Sequence, residues 1–167
     1  MTIGIFDFVA ATEQLLNDHK DEVGSLLAEA GWDPRGLTFL GYHRASPPVD
    51  ILPLVMLEPQ RIRREWVSLN NGARFTATIG ITGVIMQEDP ERATKEITLL
   101  EQGVAHVINV RHAEAKIGRE GYGLFYPGES GLPISEAVFG VIPAGRGVLH
   151  AFQSTFTAAV EVVIPPI

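Results

Sequence analysis

The sequence predicts an α+β fold: a mostly antiparallel β-sheet with an N-terminal helix and a second helix packed on one face. Three observations predict it. Two long segments repeat apolar residues on a 3.6-residue period. Several other segments alternate apolar and polar residues on a period of two. Turn signals such as Asn70-Asn71-Gly72 join alternating segments directly, which favours antiparallel pairing.

The first helical segment runs from Asp7 to Ala30. Phe8, Leu15, Leu16, His19, Val23, Leu26, Leu27 and Ala30 form one stripe, and Asp18, Lys20, Asp21, Glu22 and Glu29 take the other side. Gly31 is a C-terminal stop, and Asp33-Pro34 prevents continuation. "DPRG" is a turn with proline at its second position, and "LTFLGY" reads as a short strand. "HRASPPVD" is an extended loop because of Pro47 and Pro48. "ILPLVMLEP", Ile51 to Pro59, suits an edge strand, since proline cannot donate to a ladder. Ile62 to Leu69 reads as a further strand that returns through Asn70-Asn71-Gly72, residues that tolerate positive φ.

The clearest strand follows. Phe75, Ala77, Ile79, Ile81, Gly83 and Ile85 share one face, and Thr76, Thr78 and Thr82 the other. Asp89 then suits an N-cap, Pro90 the first helical position and Glu91 the positive end of the helix dipole. Ala93, Ile97, Leu100, Val104, Val107 and Ile108 make the second helical stripe, at a cost of about 1 kcal/mol for the mid-helix Gly103. "SEAVFGVIPAGRG" is a strand and a turn. "VLHAFQSTFTAAVEVVIP" is a long last strand, with Phe152, Phe156, Ala158, Val160 and Val162 on one face.

The 167 residues suggest a single domain, 1–167, with a flexible glycine-rich region over about 111–134. That region, "RHAEAKIGREGYGLFYPGESGLP", contains five glycines. Loops of this length bind something or order on assembly. A composition 46% hydrophobic and 20% charged is that of a folded chain, and a net charge of −7 argues against general attraction to nucleic acid or anionic lipid. With no cysteine, disulfides and thiolate metal sites are excluded. No run of ~18 apolar residues predicts a membrane span, and "MTIGIFDFVAA" is a poor signal peptide, so a cytosolic, soluble protein is expected.

Chemistry is hard to find. His19, His43, His106, His112 and His150 form no H-x-x-x-H or H-x-H pair, so no metal and no cofactor is expected. His19, on the helical stripe, reads as structural. "GESGLP" lacks the spacing of a serine nucleophile, which leaves Ser130 a turn residue, and "GREGYG" lacks the lysine-serine pair of a phosphate loop. A small enzyme or ligand-binding domain would have to use residues 111–133 as a lid, with His112 and Glu114 as acid/base groups.

Contact surfaces are the other reading. Arg61, Arg63 and Arg64 either form a solvated face or meet an acidic surface, and on a chain this acidic the complement could be an identical neighbour. Trp66 either anchors that contact or sits in the core. Tyr122, Phe125 and Tyr126, set among glycines, either tuck against the domain or dock onto a partner.

The order of these features resembles the tail terminator, or tail completion, proteins of tailed bacteriophages. It carries the amphipathic N-terminal helix, "LVMLEP", the basic hairpin into "FTATIGITGVIM", the helix "EDPERATKEITLLEQGVAHVI", a variable loop and a closing strand. The resemblance spans nearly the whole chain and rests on order and texture. It implies a homo-oligomeric ring, commonly a hexamer, at the head-proximal end of the tail tube. Such a ring ends tube polymerisation and meets the tail tube protein on one face and a neck protein on the other. DNA passes only through the lumen, and no membrane, cofactor or catalytic residue is implied. The expected place is the virion, after assembly in the host cytoplasm. Another head–tail connector belongs to the same class.

Overall fold

The computed structural model describes residues 3–29, 31, 36–41, 52–67, 71–118, 120–127, 131–144 and 147–164. The elements are α1 (Ile5–Asp18), α2 (Lys20–Glu29), β1 (Thr38–Leu40), β2 (Leu54–Trp66), β3 (Gly72–Met86), α3 (Pro90–Arg111), β4 (Lys116–Ile117), β5 (Tyr122–Gly123), β6 (Val138–Ala144) and β7 (Gly147–Val163). This is the expected α+β class. The main sheet has the order β1-β2-β3-β7-β6, and only the β1–β2 pair is parallel.

β3 and β7 form the spine, paired from Gly72↔Val163 to Met86↔Leu149. Their alternation places Phe75, Ala77, Ile79, Ile81, Phe152, Phe156, Ala158 and Val160 on one face, buried beneath the helices. α1 contributes Phe8, Leu15 and Leu16, α2 contributes Val23 and Leu27, and α3 contributes Ile97, Leu100, Val104, Val107 and Ile108. Each large aliphatic side chain so buried stabilises the fold by roughly 1.5–3 kcal/mol. On the opposite face, one end of the sheet carries a small apolar group of Leu54, Met56, Val84, Leu149 and Ala151.

α3 starts as its sequence predicts. The Asp89 carboxylate accepts from the Glu91 and Arg92 amides at 3.0 and 3.4 Å, and Pro90 opens the first turn. Gly103 is where α2 crosses α3, and a Cβ there would lie 3.0 Å from Val23 Cγ1 and 3.1 Å from Val23 Cα. The close approach of two helices offsets the weak propensity of glycine.

Two expected elements differ. The segment Asp7–Ala30 is not one helix. The backbone leaves helical geometry at His19 (φ −111°, ψ 23°), and α2 begins at Lys20. The apolar period survives this one-residue break, so the stripe alone does not reveal it. Ile51–Pro59 and Ile62–Leu69 are likewise not two strands: β2 runs through from Leu54 to Trp66. Its register with β3 shifts between Pro59↔Ile79 and Arg61↔Thr78, leaving Gln60 as the extra residue of a bulge. Among the described residues β1 flanks β2 only from Leu54 to Met56, and Pro59 lies beyond that pairing.

The expected hairpin holds, with Asn71 at φ 62° and the Val67 amide donating to the Gly72 carbonyl at 2.9 Å. The turns at 33–35 and 145–146, the loop at 43–50 and Ser130 lie outside the described residues.

Past α3 the chain makes a short 3-10 turn (His112–Glu114) and then the β4–β5 hairpin. Phe125 then bridges to Ala159 of β7 by two backbone bonds of 2.9 and 2.8 Å. Ala115, Ile117, Leu124 and Ile134 reach the core from this segment. The Asn109 side chain fastens it by accepting from the Ile134 amide at 2.7 Å and donating to its carbonyl at 3.0 Å.

Candidate functional site

The described glycines of "GREGYG" belong to the β4–β5 hairpin, with Gly118 at φ 76° and Gly121 at φ 68°, and none starts a helix that could cradle phosphate. His112 and Glu114 do not face each other as an acid/base pair. His112 Nδ1 lies 3.2 Å from the Ile108 carbonyl, while Glu114 bonds His19 Nε2 at 2.7 Å and Arg111 at 3.1 Å.

Those last contacts belong to an ionic group at the α1–α2 junction. His19 Nδ1 meets Glu22 at 3.0 Å, Arg111 meets Glu22 at 3.0 Å, and His106 lies 3.8 Å from Glu22. The hydrogen bond that His19 donates to the Glu114 carboxylate raises the His19 pKa above its ordinary value, against the opposing effect of burial. Bonds from His19 and then Arg111 lower that of Glu114. The group ties α1, α2, α3 and the 3-10 turn together, with His19 at the helix break between two carboxylates and not on an uninterrupted apolar stripe.

One carboxylate is fully buried. Glu96 accepts from Arg92 Nε at 2.7 Å and from the Gln87 amide at 3.3 Å, which secures the start of α3 to the end of β3. It is a bracket between two elements.

The arginines of β2 are all exposed but do not share one face. The pleat and the bulge set Arg61 opposite Thr78 and Arg63 opposite Thr76, on the polar side, while Arg64 stands opposite Phe75 on the helix side. Arg63 pairs with Glu65 at 3.4 Å. Trp66 is 68% exposed, with Val67 and Val163 close in the same corner of the sheet.

Beside that corner runs a row of charges across three strands. Arg74 stands between Glu65 (3.7 Å) and Glu161 (2.9 Å from Nε), with its guanidinium 5.7 Å from the Phe125 ring centroid. Tyr122, Phe125 and Tyr126 are half-buried, and Tyr122 packs on the core. With Val67, Val163, Arg74 and Glu161, Tyr122 lines an open cleft of ≈ 520 Å³.

The site that residue-type reasoning missed is β6. Val138, Phe139, Val141 and Ile142 are 67%, 48%, 59% and 49% exposed, on both faces of a strand with no neighbour beyond it among the described residues. A signal was present: "VFGVI" lacks the alternation and charge of an ordinary edge strand.

No family model matches the chain, and no curated protein matches it. Among solved structures, the chain is similar to one in a structure described as "Virion of native gene transfer agent (GTA) particle". The identity is 13% and the TM-score 0.47, covering 92% of this chain and 94% of that chain. A superposition so loose assigns no role. Among the described residues, no helix is long and apolar enough to cross a membrane.

Proposed function

We propose that this protein is a structural component of a tailed-phage-like particle, of the tail-terminator type. Copies close into a ring, a hexamer by the resemblance, that caps the head-proximal end of the tail tube. The ring ends tube polymerisation and offers its other face to a neck protein, while DNA passes through the lumen. The protein works by shape and contact, without a cofactor. The assembly reading is carried by β6, an uncharged strand exposed on both faces and, among the described residues, unpaired along its outer edge. The place in the tail rests on the order of elements shared with tail terminators.

Arg61, Arg63, Arg64 and Trp66 supply a second part of the contact, with the arginines against acidic side chains of the neighbour. Tyr122, Phe125 and Tyr126 line the region beside it. Native mass spectrometry and electron microscopy of the purified protein, alone and with tail tubes, test this reading. Discrete rings seated at tube ends are expected. Monomers at high concentration that ignore tubes would overturn it. Reversing the charge of all three arginines should weaken the ring most at low salt, and full retention would remove them from the contact.

A further inference from the structure

β6 and the Trp66 corner are two separate apolar surfaces. β6 pairs with the first half of β7, at Val148 to Gln153, whereas Val163 lies at the far end of that strand. About ten residues separate Gln153 from Val163, which is roughly 33 Å of extended chain. The corner lies at the Gly72–Val163 end of the β3–β7 spine, whereas β6 flanks the other end of β7. Their shapes differ. β6 is a projecting edge with apolar side chains on both faces. The corner is a hollow, the ≈ 520 Å³ cleft bordered by Val67, Tyr122, Val162 and Val163 and by the Arg74–Glu161 pair.

Resting on the ring reading above, we propose that β6 of one copy seats in the Val67–Tyr122–Val163 cleft of the next. The contact is head-to-tail between identical chains. A ring needs such a contact, in which unlike patches meet. Coverage summed over each subunit favours it over self-pairing of β6, since every single contact uses one β6 patch either way. Four partly exposed side chains on β6 present on the order of 400 Å², about half of what a standard contact buries per partner. Pairing β6 with β6 would use only that patch and leave the corner in water. The head-to-tail contact covers both patches on every subunit. Charge permits it: β6 carries no charge, and the Arg74 and Glu161 side chains that line the cleft are already paired with each other.

The chain has no cysteine, which makes the test direct. Val141→Cys and Val163→Cys both fall at exposed positions, and thermal melting will show whether each variant folds as the parent does. The two are mixed and treated with oxidant or a short bis-maleimide. A disulfide forms only where Cβ atoms come within about 4.5 Å, and the cross-linker extends that reach modestly. Cross-linking between unlike variants, with a ladder closing at ring size for the double variant, is the expected result.

Self-cross-linking of Val141→Cys alone would mean two-fold β6 pairing and overturn the proposal. Rings seen by native mass that form no unlike cross-link would also overturn it, while leaving the ring function standing. Unlike cross-links in rings that never engage tail tubes would support this contact and sink the tail assignment instead.

Discussion

Along β2, past its last residue paired with β1, the sheet edge carries Pro59, a one-residue bulge and Arg61, Arg63 and Arg64; along β6 it carries Val138, Phe139, Gly140, Val141 and Ile142. Proline, bulges and charge are the means by which proteins keep an open strand from recruiting another chain. β2 uses all three; β6 has Pro143 near its end but neither a bulge nor a charge. An edge left so bare in a chain of net charge −7 is better explained by a partner than by neglect. The two edges therefore differ in kind: β2 is guarded against strand addition and meets a neighbour only through its side chains, whereas β6 offers its apolar surface to contact.

The most severe way to break this comparison is to give β6 what β2 already has. Val141→Glu should abolish assembly. A carboxylate buried without a partner costs about 3 kcal/mol or more, a loss above 100-fold in association. Thermal stability of the subunit should stay within about 0.5 kcal/mol, since Val141 is exposed. Gln60→Glu on the shielded edge should leave assembly intact. Light scattering with size-exclusion chromatography reads both, and a persistent oligomer in Val141→Glu would end the distinction between the edges.

The next effect concerns how each edge is seated on the sheet. Gly83 and Gly80 lie on β3, but an added Cβ at Gly83 collides with the Phe152 ring, whereas at Gly80 it meets the side-chain end of Gln60. Phe152 pairs in register with Phe139 of β6. Gly83→Ala should thus cost about 1–3 kcal/mol in urea unfolding and speed hydrogen exchange most in β6. Gly80→Ala should cost far less, because the Gln60 amide can swing away. Equal costs would show that the two edges are packed alike.

Much of the fold was legible because its signals are long. β3, β7 and α3 each repeat their period over enough residues that one exception does not matter. The misses are short or non-local. His19 breaks the N-terminal helix within one residue, and Gln60 shifts the alternation of β2 just beside a proline that reads as a stop. The glycines of residues 111–134 read as loop, while Ile117, Leu124 and Ile134, which pin that segment to the core, are spaced with no regular period. The arginine group looked like one patch because sequence proximity says nothing of the pleat. β6 was visible as a strand, but its place at the edge follows only from β3 taking the other side of β7.

A smaller effect is expected from the charges beside the corner. Arg74→Ala removes the middle of the Glu65–Arg74–Glu161 row and its contact with Phe125. These groups are about a third to a half exposed, so the loss should be at most about 1 kcal/mol and should shrink as salt rises. If the loss were larger and salt-independent, packing on Phe125 would be its source and the corner would be an apolar surface throughout.

The smallest effect should come from the ionic group at the α1–α2 junction, which lies on neither edge. His19 has its pKa raised above 6.5, so its contribution is complete below that value and fades as pH rises through the folded-state pKa. Glu114 has its pKa lowered below 4.5, so its contribution is complete above that value and fades as pH falls through the folded-state pKa. Their bond therefore stabilises most between about pH 4.5 and 6.5. The urea midpoint of the parent minus that of His19→Gln should peak in this window and decline toward pH 8. Subunit assembly, measured on the same samples, should not follow that curve, because β6 carries no group that titrates there. If assembly tracked the stability difference, the junction and the open edge would be coupled, and β6 could no longer be treated as a contact that acts independently of the helices.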